Sequence, residues 1–265
     1  MNKIDAQLKK IKSQNRIGLM THIVVGYPDL ATSKNLLKTM LEVGVDFIEL
    51  QIPFSDPLAD GPTLMVANQL AVQHNTSVRQ SMELMAAVSL TTSTPILFMT
   101  YFNIVFNYGV ARFCQEASQA GCSGLIVPDM PLDEERYEGF IEQAEKFDLY
   151  VIRTLAPSST PKRLRLNAQL AKGFVYFAGR QATTGSQREL DNNLFSNIKK
   201  VKQYIDKPVA VGFGISKPEH IYELKNHAEI AVLGSKVVNI YHESASDMAI
   251  KNVKIFLQSL VDATH

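Results

Sequence analysis

The chain has 265 residues, of which 46% are hydrophobic, and a formal net charge of +1. This near-neutral charge gives no electrostatic reason to expect binding to nucleic acid or to a membrane surface. Cys114 and Cys122 form neither a CxxC motif nor a disulfide framework, and no apolar stretch reaches the roughly 18 residues of a membrane span. Residues 1–20 carry no secretion signal, so we expect a cytoplasmic protein.

Short apolar runs alternate with longer amphipathic segments along the whole chain, which is typical of repeated strand–helix units. The predicted strands are Leu19–Val25, Phe47–Ile52, Ile96–Tyr101, Gly124–Val127, Tyr150–Leu155, Gly173–Phe177, Val209–Phe213 and Ile230–Leu233. The predicted helices are Lys3–Lys12, Leu30–Glu42, Thr63–His74, Val78–Ser89, Gly109–Ala120, Asp133–Lys146, Pro161–Ala171, Leu194–Ile205, Pro218–Lys225 and Met248–Val261.

Eight strands with mostly continuous apolar character predict a parallel sheet. The best fit is a (β/α)8 barrel, for which about 250 residues is a typical length. The alternative is an open doubly wound sheet, in which ligands bind near one switch point. Polar segments follow several different strands here, which favours the barrel. Residues 1–265 are therefore expected to form a single α/β domain, a (β/α)8 TIM barrel with an extra N-terminal helix.

The second strand and the loop after it concentrate acidic side chains. Glu49 lies inside the apolar strand, and Asp56 and Asp60 follow in the proline-rich loop 53–62. Alternation along the strand predicts that Glu49 points into the barrel, near the end where barrel enzymes hold their active sites. That position suits Glu49 to proton transfer, and the alternative is a core glutamate paired with a Lys or Arg. Asp60 either hydrogen-bonds a substrate or fixes the loop, whereas Asp56 is expected to hold the turn.

Three residues on or directly after other strands are weaker candidates for the site. Asp129 follows the fourth strand and either orients the site, which we favour, or caps the helix near Asp133. Tyr176, in the sixth strand, either shares the pocket with a carboxylate or belongs to the core. For His22, in the first strand, a satisfied core histidine is favoured over a position at the barrel mouth. No histidine has metal-ligand spacing, so no metal site is expected.

The last strands carry glycine-rich ends that suit an anion. Gly212-Phe213-Gly214 ends the seventh strand and Gly234-Ser235 ends the eighth, where barrels frequently bind phosphate. The loop 179–188, after the sixth strand, is long, polar and glycine-flanked. It is either a lid that closes on a substrate or an ordinary surface loop. A phosphate site, a buried glutamate and a lid together indicate chemistry on a phosphorylated small molecule.

The segment 49–62, ELQIPFSDPLADGP, resembles the most diagnostic segment of the tryptophan synthase α subunit family. Other segments follow in the order of that family: YFN at 101–103, VPDMP at 127–131, GFGIS at 212–216 and GS at 234–235. The resemblance therefore covers essentially the whole chain, and its motifs are specific.

The resemblance implies a lyase that cleaves indole-3-glycerol phosphate by a retro-aldol reaction, giving indole and glyceraldehyde 3-phosphate in tryptophan biosynthesis. It implies that Glu49 is the general acid/base, that Asp60 hydrogen-bonds the indole N–H, and that Tyr176 lines the pocket beside Glu49. The other residues that it assigns to the substrate site are Tyr101, Asp129, Thr184, Gly185, Phe213, Gly214, Gly234 and Ser235.

The resemblance also implies a protein partner. The family forms an α2β2 complex in which indole passes through a tunnel to the β subunit. That β subunit carries pyridoxal phosphate, whereas this chain is expected to carry no cofactor. The loop after the second strand and the segment 102–108 are expected to face the β subunit.

Four positions depart from the family pattern. Gln51 stands where the family usually has Gly, His22 stands where it usually has an apolar residue, and Gly179 and Ala182 alter the lid. The Gln51 amide either hydrogen-bonds Glu49 or substrate, or crowds the pocket. The alternatives are a stand-alone indole-releasing lyase and a non-catalytic α subunit that activates its β partner. A different phosphate-binding barrel, such as a sugar-phosphate isomerase or epimerase, is disfavoured by the proline-rich segment.

Overall fold

The computed structural model describes residues 1–178, 192–212 and 214–265. In this part of the chain, eight parallel strands pair each with the next in sequence, and the eighth pairs with the first. The predicted (β/α)8 barrel is therefore confirmed, and the open doubly wound sheet is excluded. Within the same residues, no helix is both long and apolar enough to cross a membrane.

The elements follow the predicted order closely. The strands are β1 (Gly18–Val24), β2 (Phe47–Gln51), β3 (Ile96–Met99), β4 (Gly124–Ile126), β5 (Tyr150–Leu155), β6 (Val175–Ala178), β7 (Val209–Gly212) and β8 (Ile230–Leu233). The helices are α1 (Lys3–Ser13), α2 (Leu30–Val43), α3 (Pro62–Gln73), α4 (Val78–Ser89), α5 (Phe102–Tyr108), α6 (Val110–Gln119), α7 (Glu135–Glu138), α8 (Phe140–Lys146), α9 (Pro161–Leu170), α10 (Asn192–Lys202), α11 (Pro218–Leu224), α12 (Ser235–Glu243) and α13 (Ala249–Ala263).

Local capping signals explain why several helices begin where they do. At α4, the Ser77 hydroxyl accepts a hydrogen bond from the Gln80 backbone N–H, and the Gln80 side chain accepts one from the Ser77 N–H. This capping box satisfies two backbone donors that a helix end leaves without partners. Prolines at the first helical position begin α3, α9 and α11, where the missing N–H costs nothing.

Three details of the predicted helices are wrong. The single helix Asp133–Lys146 is instead a short 3₁₀ turn followed by α7 and α8. The break falls at Gly139, whose φ of 59° lies in the left-handed region that ends a helix. The segments 102–108 and 235–243 form the helices α5 and α12, neither of which was among the predicted helices.

Alternation along the strands creates two apolar layers, one inside the barrel and one under the helices. On β2, Phe47 belongs to the inner layer, whereas Ile48 and Leu50 pack in the outer layer. Inside the barrel, the Phe47 ring meets Phe174 edge-on, with ring centroids 5.6 Å apart. Polar side chains that follow Phe47 on the same face of β2 therefore lie between this apolar floor and the carboxyl-terminal mouth.

The opposite, amino-terminal end of the barrel is held by a buried ion pair. The Arg16 guanidinium donates two hydrogen bonds to the Asp46 carboxylate, at 2.7 Å and 2.6 Å. The same carboxylate accepts from the Leu19 backbone N–H at 2.9 Å and from the Gln7 side chain. Asp46 is only 3% exposed, so its charge depends on these partners. This end of the barrel serves stability, which leaves the other end for chemistry.

The variant Asp46→Ala is expected to lower the free energy of unfolding by about 3–5 kcal/mol, because it leaves the Arg16 charge buried without a partner. Urea denaturation followed by circular dichroism measures this loss. The control Glu42→Ala removes only exposed contacts with Lys38 and Lys254 and is expected to cost far less. Equal losses in the two variants would contradict the structural role of the buried pair.

Candidate active site

Glu49 lies on the inner face of β2 and is only 3% exposed. No Lys or Arg among the described residues forms an ion pair with it, in contrast to the alternative of a paired core glutamate. Its neighbour is His22, whose ring atom Nδ1 lies 3.2 Å from Glu49 Oε2. The two residues are opposite each other in the β1–β2 register, which brings their side chains together inside the barrel.

The Glu49 carboxylate retains unused acceptor capacity. The contact with His22 is close enough for an ion pair, but Oε2 has no regular hydrogen bond from any described residue. A buried acceptor in this condition costs roughly 1–3 kcal/mol, and such atoms concentrate at sites of ligand binding or catalysis. Glu49 is therefore arranged to receive a donor from a bound molecule.

His22 and Gln51 extend the polar contacts from Glu49 to Asp60. His22 Nε2 lies 2.8 Å from Gln51 Oε1, and Gln51 Nε2 donates to Asp60 Oδ2 at 2.7 Å. The expectation that His22 is a satisfied core histidine is confirmed, because it is buried and its ring nitrogens contact Gln51 and Glu49. Its partners are site residues, which the sequence did not indicate. Of the interpretations left open for Gln51, its amide binds His22 and Asp60 instead of Glu49.

Asp60 is held inside the site by a second amide that the sequence did not point to. Asn68, fully buried on α3, donates to Asp60 Oδ2 at 3.2 Å and accepts from the Phe54 backbone N–H at 3.0 Å. Burial raises the pKa of the Asp60 carboxyl above its ordinary value, although the positive charge on His22 and the Gln51 hydrogen bond lower it. A polar residue on the buried face of a helix directly after the acidic loop was the available signal for Asn68.

Tyr101 ties the acidic loop to the third strand. Its hydroxyl accepts from the Ala59 backbone N–H at 3.0 Å, and its ring stacks on Phe54 with centroids 5.2 Å apart. The hydroxyl lies close enough to Asp60 for each group to shift the pKa of the other. Burial, followed by the Asp60 charge, raises the pKa of Tyr101 far above its ordinary value, so it stays neutral and can donate to that carboxylate.

Asp129 holds the start of α5 in place. Its two carboxylate oxygens accept from the Phe102 backbone N–H at 2.9 Å and 3.1 Å. The interpretation as a cap for the helix near Asp133 is wrong, because the backbone amide that Asp129 binds belongs to the first residue of α5. Asp129 therefore orients α5, and its direct contact with a substrate stays a prediction.

Tyr176, on β6, faces the two carboxylates from the other side of the barrel. Burial, followed by the negative charges of Glu49 and Asp60, raises the pKa of its hydroxyl well above the ordinary value. The ring lies against Gly212 on β7, where an added Cβ would stand 2.8 Å from the Tyr176 hydroxyl oxygen. Only glycine at that position leaves room for Tyr176 in the pocket.

The phosphate candidates lie at the ends of β7 and β8. Gly234 precedes α12, and Ser235 is its first residue, so a helix start with unpaired backbone N–H groups lies at the carboxyl end of β8. The Cβ of His22 lies 3.5 Å from where a Cβ on Gly234 would stand, which places this helix start beside the carboxylate site. Gly214 lies two residues beyond Gly212, at the end of β7. The predictions for Thr184, Gly185, Phe213, Gly179 and Ala182 lie outside the described residues.

Over residues 1–178, 192–212 and 214–265, no cluster of three or more His, Cys, Asp or Glu side chains could hold a metal ion. The arrangement consists instead of the buried Glu49 carboxylate, the half-buried Asp60 carboxylate, an imidazole, two amides and two tyrosines. Such a set suits proton transfer on an organic molecule whose anionic end lies at the start of α12.

The variant Gly234→Asp is expected to abolish binding of a phosphorylated substrate analogue, because its carboxylate repels the phosphate at the helix start. Isothermal titration calorimetry measures the affinity. The control Gly234→Ala adds only a Cβ that meets its neighbours at 3.5 Å or more, so it is expected to fold and to retain most of the affinity. Unchanged affinity in Gly234→Asp would remove the phosphate from this loop.

Comparison with known proteins gives a consistent result. The family model described as "Tryptophan synthase alpha chain" matches residues 8–265. A tryptophan synthase alpha chain from Desulfotalea psychrophila is 41% identical over 237 residues, covering 89% of this chain and 92% of the relative. A second, from Thermoanaerobacter sp., is 35% identical and covers 98% of both chains.

Solved structures resemble this one over their full length. A tryptophan synthase structure from Mycobacterium tuberculosis has a TM-score of 0.90 at 29% identity, covering 99% of this chain and 98% of that one. The tryptophan synthase alpha chain from Legionella pneumophila has a TM-score of 0.90 at 27% identity, covering 100% of this chain and 97% of that one.

Proposed function

Since the chain belongs to the tryptophan synthase alpha chain family and is an enzyme of tryptophan biosynthesis, we propose that its buried carboxylates cleave indole-3-glycerol phosphate. The products are indole and glyceraldehyde 3-phosphate, and the enzyme is a lyase. The observation that carries this proposal is the buried Glu49 oxygen that accepts no regular hydrogen bond from the described residues, in the same pocket as Asp60. We also propose that residues 1–265 form a single barrel domain.

Glu49 is proposed to move the protons of the retro-aldol reaction. It first gives a proton to C3 of the indole ring, which places positive charge on the ring nitrogen. It then takes the proton of the glycerol hydroxyl on the carbon attached to C3. The hydroxyl oxygen forms a C=O bond, the carbon–carbon bond breaks, and its electron pair returns to the ring. Glu49 ends the cycle protonated as it began, as general acid/base catalysis requires.

Asp60 is proposed to stabilise the positive charge that grows on the indole ring. Its carboxylate accepts from the indole N–H while Gln51 and Asn68 keep it in place. A negative group preorganised where charge develops acts strongly in a water-poor pocket. Tyr101 and Tyr176 line the same pocket, on opposite sides of the carboxylates.

The far end of the substrate is proposed to lie at the ends of β7 and β8. Gly214, Gly234 and Ser235 offer backbone N–H groups to its phosphate. The substrate site is proposed to be completed by Thr184, Gly185 and Phe213, with Asp129 and Tyr101 shaping it from the β3 and β4 side. These steps move protons only, so we propose that this chain works without a cofactor of its own.

A β subunit is the proposed partner, in an α2β2 complex where it carries pyridoxal phosphate. Leu58, on the loop after β2, is 74% exposed, and Phe106, on α5, is 56% exposed. Exposed large apolar side chains near a site mouth favour contact with another protein. Tyr101 binds the backbone of Ala59, which is next to Leu58, and it also acts on Asp60. A partner that docks at this surface is therefore expected to change the position of Asp60.

Two alternatives within the family have less support. A non-catalytic activator has no need for a buried Glu49 with an unused acceptor oxygen, which is costly to keep. A stand-alone lyase has no need for exposed apolar side chains such as Leu58 and Phe106 beside the mouth. The catalytic α subunit accounts for both observations.

The variant Glu49→Gln is expected to lower kcat for indole release by a factor of about 10² to 10⁴, the usual contribution of a general acid/base. The amide preserves shape but cannot exchange a proton, so the barrel and the phosphate affinity are expected to remain. Indole release and binding of a phosphorylated analogue measure the two effects separately.

Thr21→Val is a matched control for this experiment, because Thr21 Oγ1 is buried on β1 and makes no hydrogen bond with the described residues. Its turnover is expected to match that of the original chain. Substantial turnover in a well-folded Glu49→Gln variant would contradict the assignment of Glu49 as the general acid/base.

A further inference from the structure

A continuous row of polar contacts connects the two carboxylates of the site. It runs from Glu49 through His22 and Gln51 to Asp60, with spacings of 3.2 Å, 2.8 Å and 2.7 Å. We propose that His22 and Gln51 are positioning residues that join Glu49 and Asp60 into one unit, with one proton shared between His22 and Glu49. This inference rests on the proposed function, because it specifies how its two carboxylates are held and protonated.

The direction of each hydrogen bond in this row follows from Asp60. An ionised carboxylate only accepts, so the amide nitrogen of Gln51 must face Asp60 and its carbonyl oxygen must face His22. That oxygen also only accepts, so the Nε2 atom of His22 must carry a hydrogen. Gln51 therefore transmits the orientation of Asp60 to the tautomer of His22.

The tautomer of His22 determines whether a proton lies between His22 and Glu49. With Nε2 protonated, the pair has two arrangements of zero net charge in which Nδ1 and the carboxylate hydrogen-bond. Either Nδ1 carries a proton and Glu49 is ionised, or Glu49 carries the proton and Nδ1 accepts. Both hold one proton in the 3.2 Å gap, and passing it across leaves the net charge of the buried pair unchanged. Loss of this proton would leave the Nδ1 lone pair facing an ionised carboxylate, which is repulsive.

The charges around His22 favour retention of that proton. Burial alone lowers the pKa of His22, but the close Glu49 carboxylate, the Asp60 charge and the Gln51 hydrogen bond raise it above the ordinary value. Glu49 belongs to β2, and Asp60 to the loop that follows it. On the other side of His22, its neighbour is Gly234, which carries no charge. The pair is therefore expected to keep its proton at neutral pH.

This arrangement gives Glu49 a proton source that does not depend on solvent. The proton that Glu49 delivers to indole C3 is the shared one, and the glycerol hydroxyl returns a proton to the pair when the carbon–carbon bond breaks. No proton enters or leaves the pocket during the cycle. Gln51 meanwhile keeps Asp60 oriented toward the indole N–H, so that the two carboxylates act in a fixed relation.

His22→Phe and Gln51→Met, which remove the polar contacts at similar volume, test the unit through kinetics. Loss of one charge-assisted hydrogen bond is expected to lower kcat by roughly 10- to 100-fold, with a smaller effect on KM. In the original chain kcat is expected to fall as pH rises through the raised pKa of His22. That alkaline fall is expected to disappear in His22→Phe and to persist in the control Thr21→Val.

The double variant tests whether the two residues act together. If His22 and Gln51 form one unit, His22→Phe combined with Gln51→Met is expected to lose no more activity than the more damaging single variant. Losses that multiply, or a pH profile unchanged in His22→Phe, would overturn the inference.

A measurement on the resting protein separates this inference from the proposed reaction. In ¹⁵N-histidine NMR, the His22 signals, identified by their loss in His22→Phe, are expected to show both ring nitrogens protonated near neutral pH. In Glu49→Gln the pKa of His22 is expected to drop, because burial then acts with one charge fewer opposing it. An unshifted His22 in a chain that releases indole would reject the shared proton and leave the reaction standing. A raised, Glu49-dependent pKa in a chain that releases no indole would reject the reaction alone.

Discussion

The described part of the chain depends on one constraint, which is that Glu49 lies inside an apolar barrel and forms no ion pair with any lysine or arginine described there. The strand β2 carries Glu49 above a floor that includes Phe47 and Phe174, where an unpaired charge is costly. The partner supplied by the fold is His22, which the β1–β2 register sets directly opposite. Because imidazole holds its proton less firmly than an ammonium or guanidinium group, this partner keeps Glu49 able to exchange protons.

The two ends of the barrel divide stability from chemistry. At the amino-terminal end, Asp46 has all its acceptors engaged by Arg16, Gln7 and a backbone N–H, and it offers nothing to a ligand. At the carboxyl-terminal end, Glu49 keeps an oxygen that no described residue engages in a regular hydrogen bond. Asp46 and Glu49 are buried to the same degree, so complete hydrogen bonding, and not burial, distinguishes the structural acid from the proposed catalytic one.

Sequence patterns predicted the eight strands and the inward direction of Glu49, because a period of two determines which face a strand residue occupies. They failed where the outcome depends on another element. The contact of His22 with Glu49 follows from the register between two strands, which barrel closure sets. The hydrogen bond from Asn68 to Asp60 depends on α3 lying next to the loop that follows β2. The break at Gly139 reflects a backbone conformation that an amphipathic pattern does not reveal.

Indole release from indole-3-glycerol phosphate by the purified chain, alone and with a tryptophan synthase β subunit, tests the central claim most directly. We expect slow release by the chain alone and strong acceleration by the partner, because the exposed Leu58 belongs to the loop that carries Asp60. Absence of indole in both cases, with the β reaction still stimulated, would contradict a catalytic role and leave only an activating one.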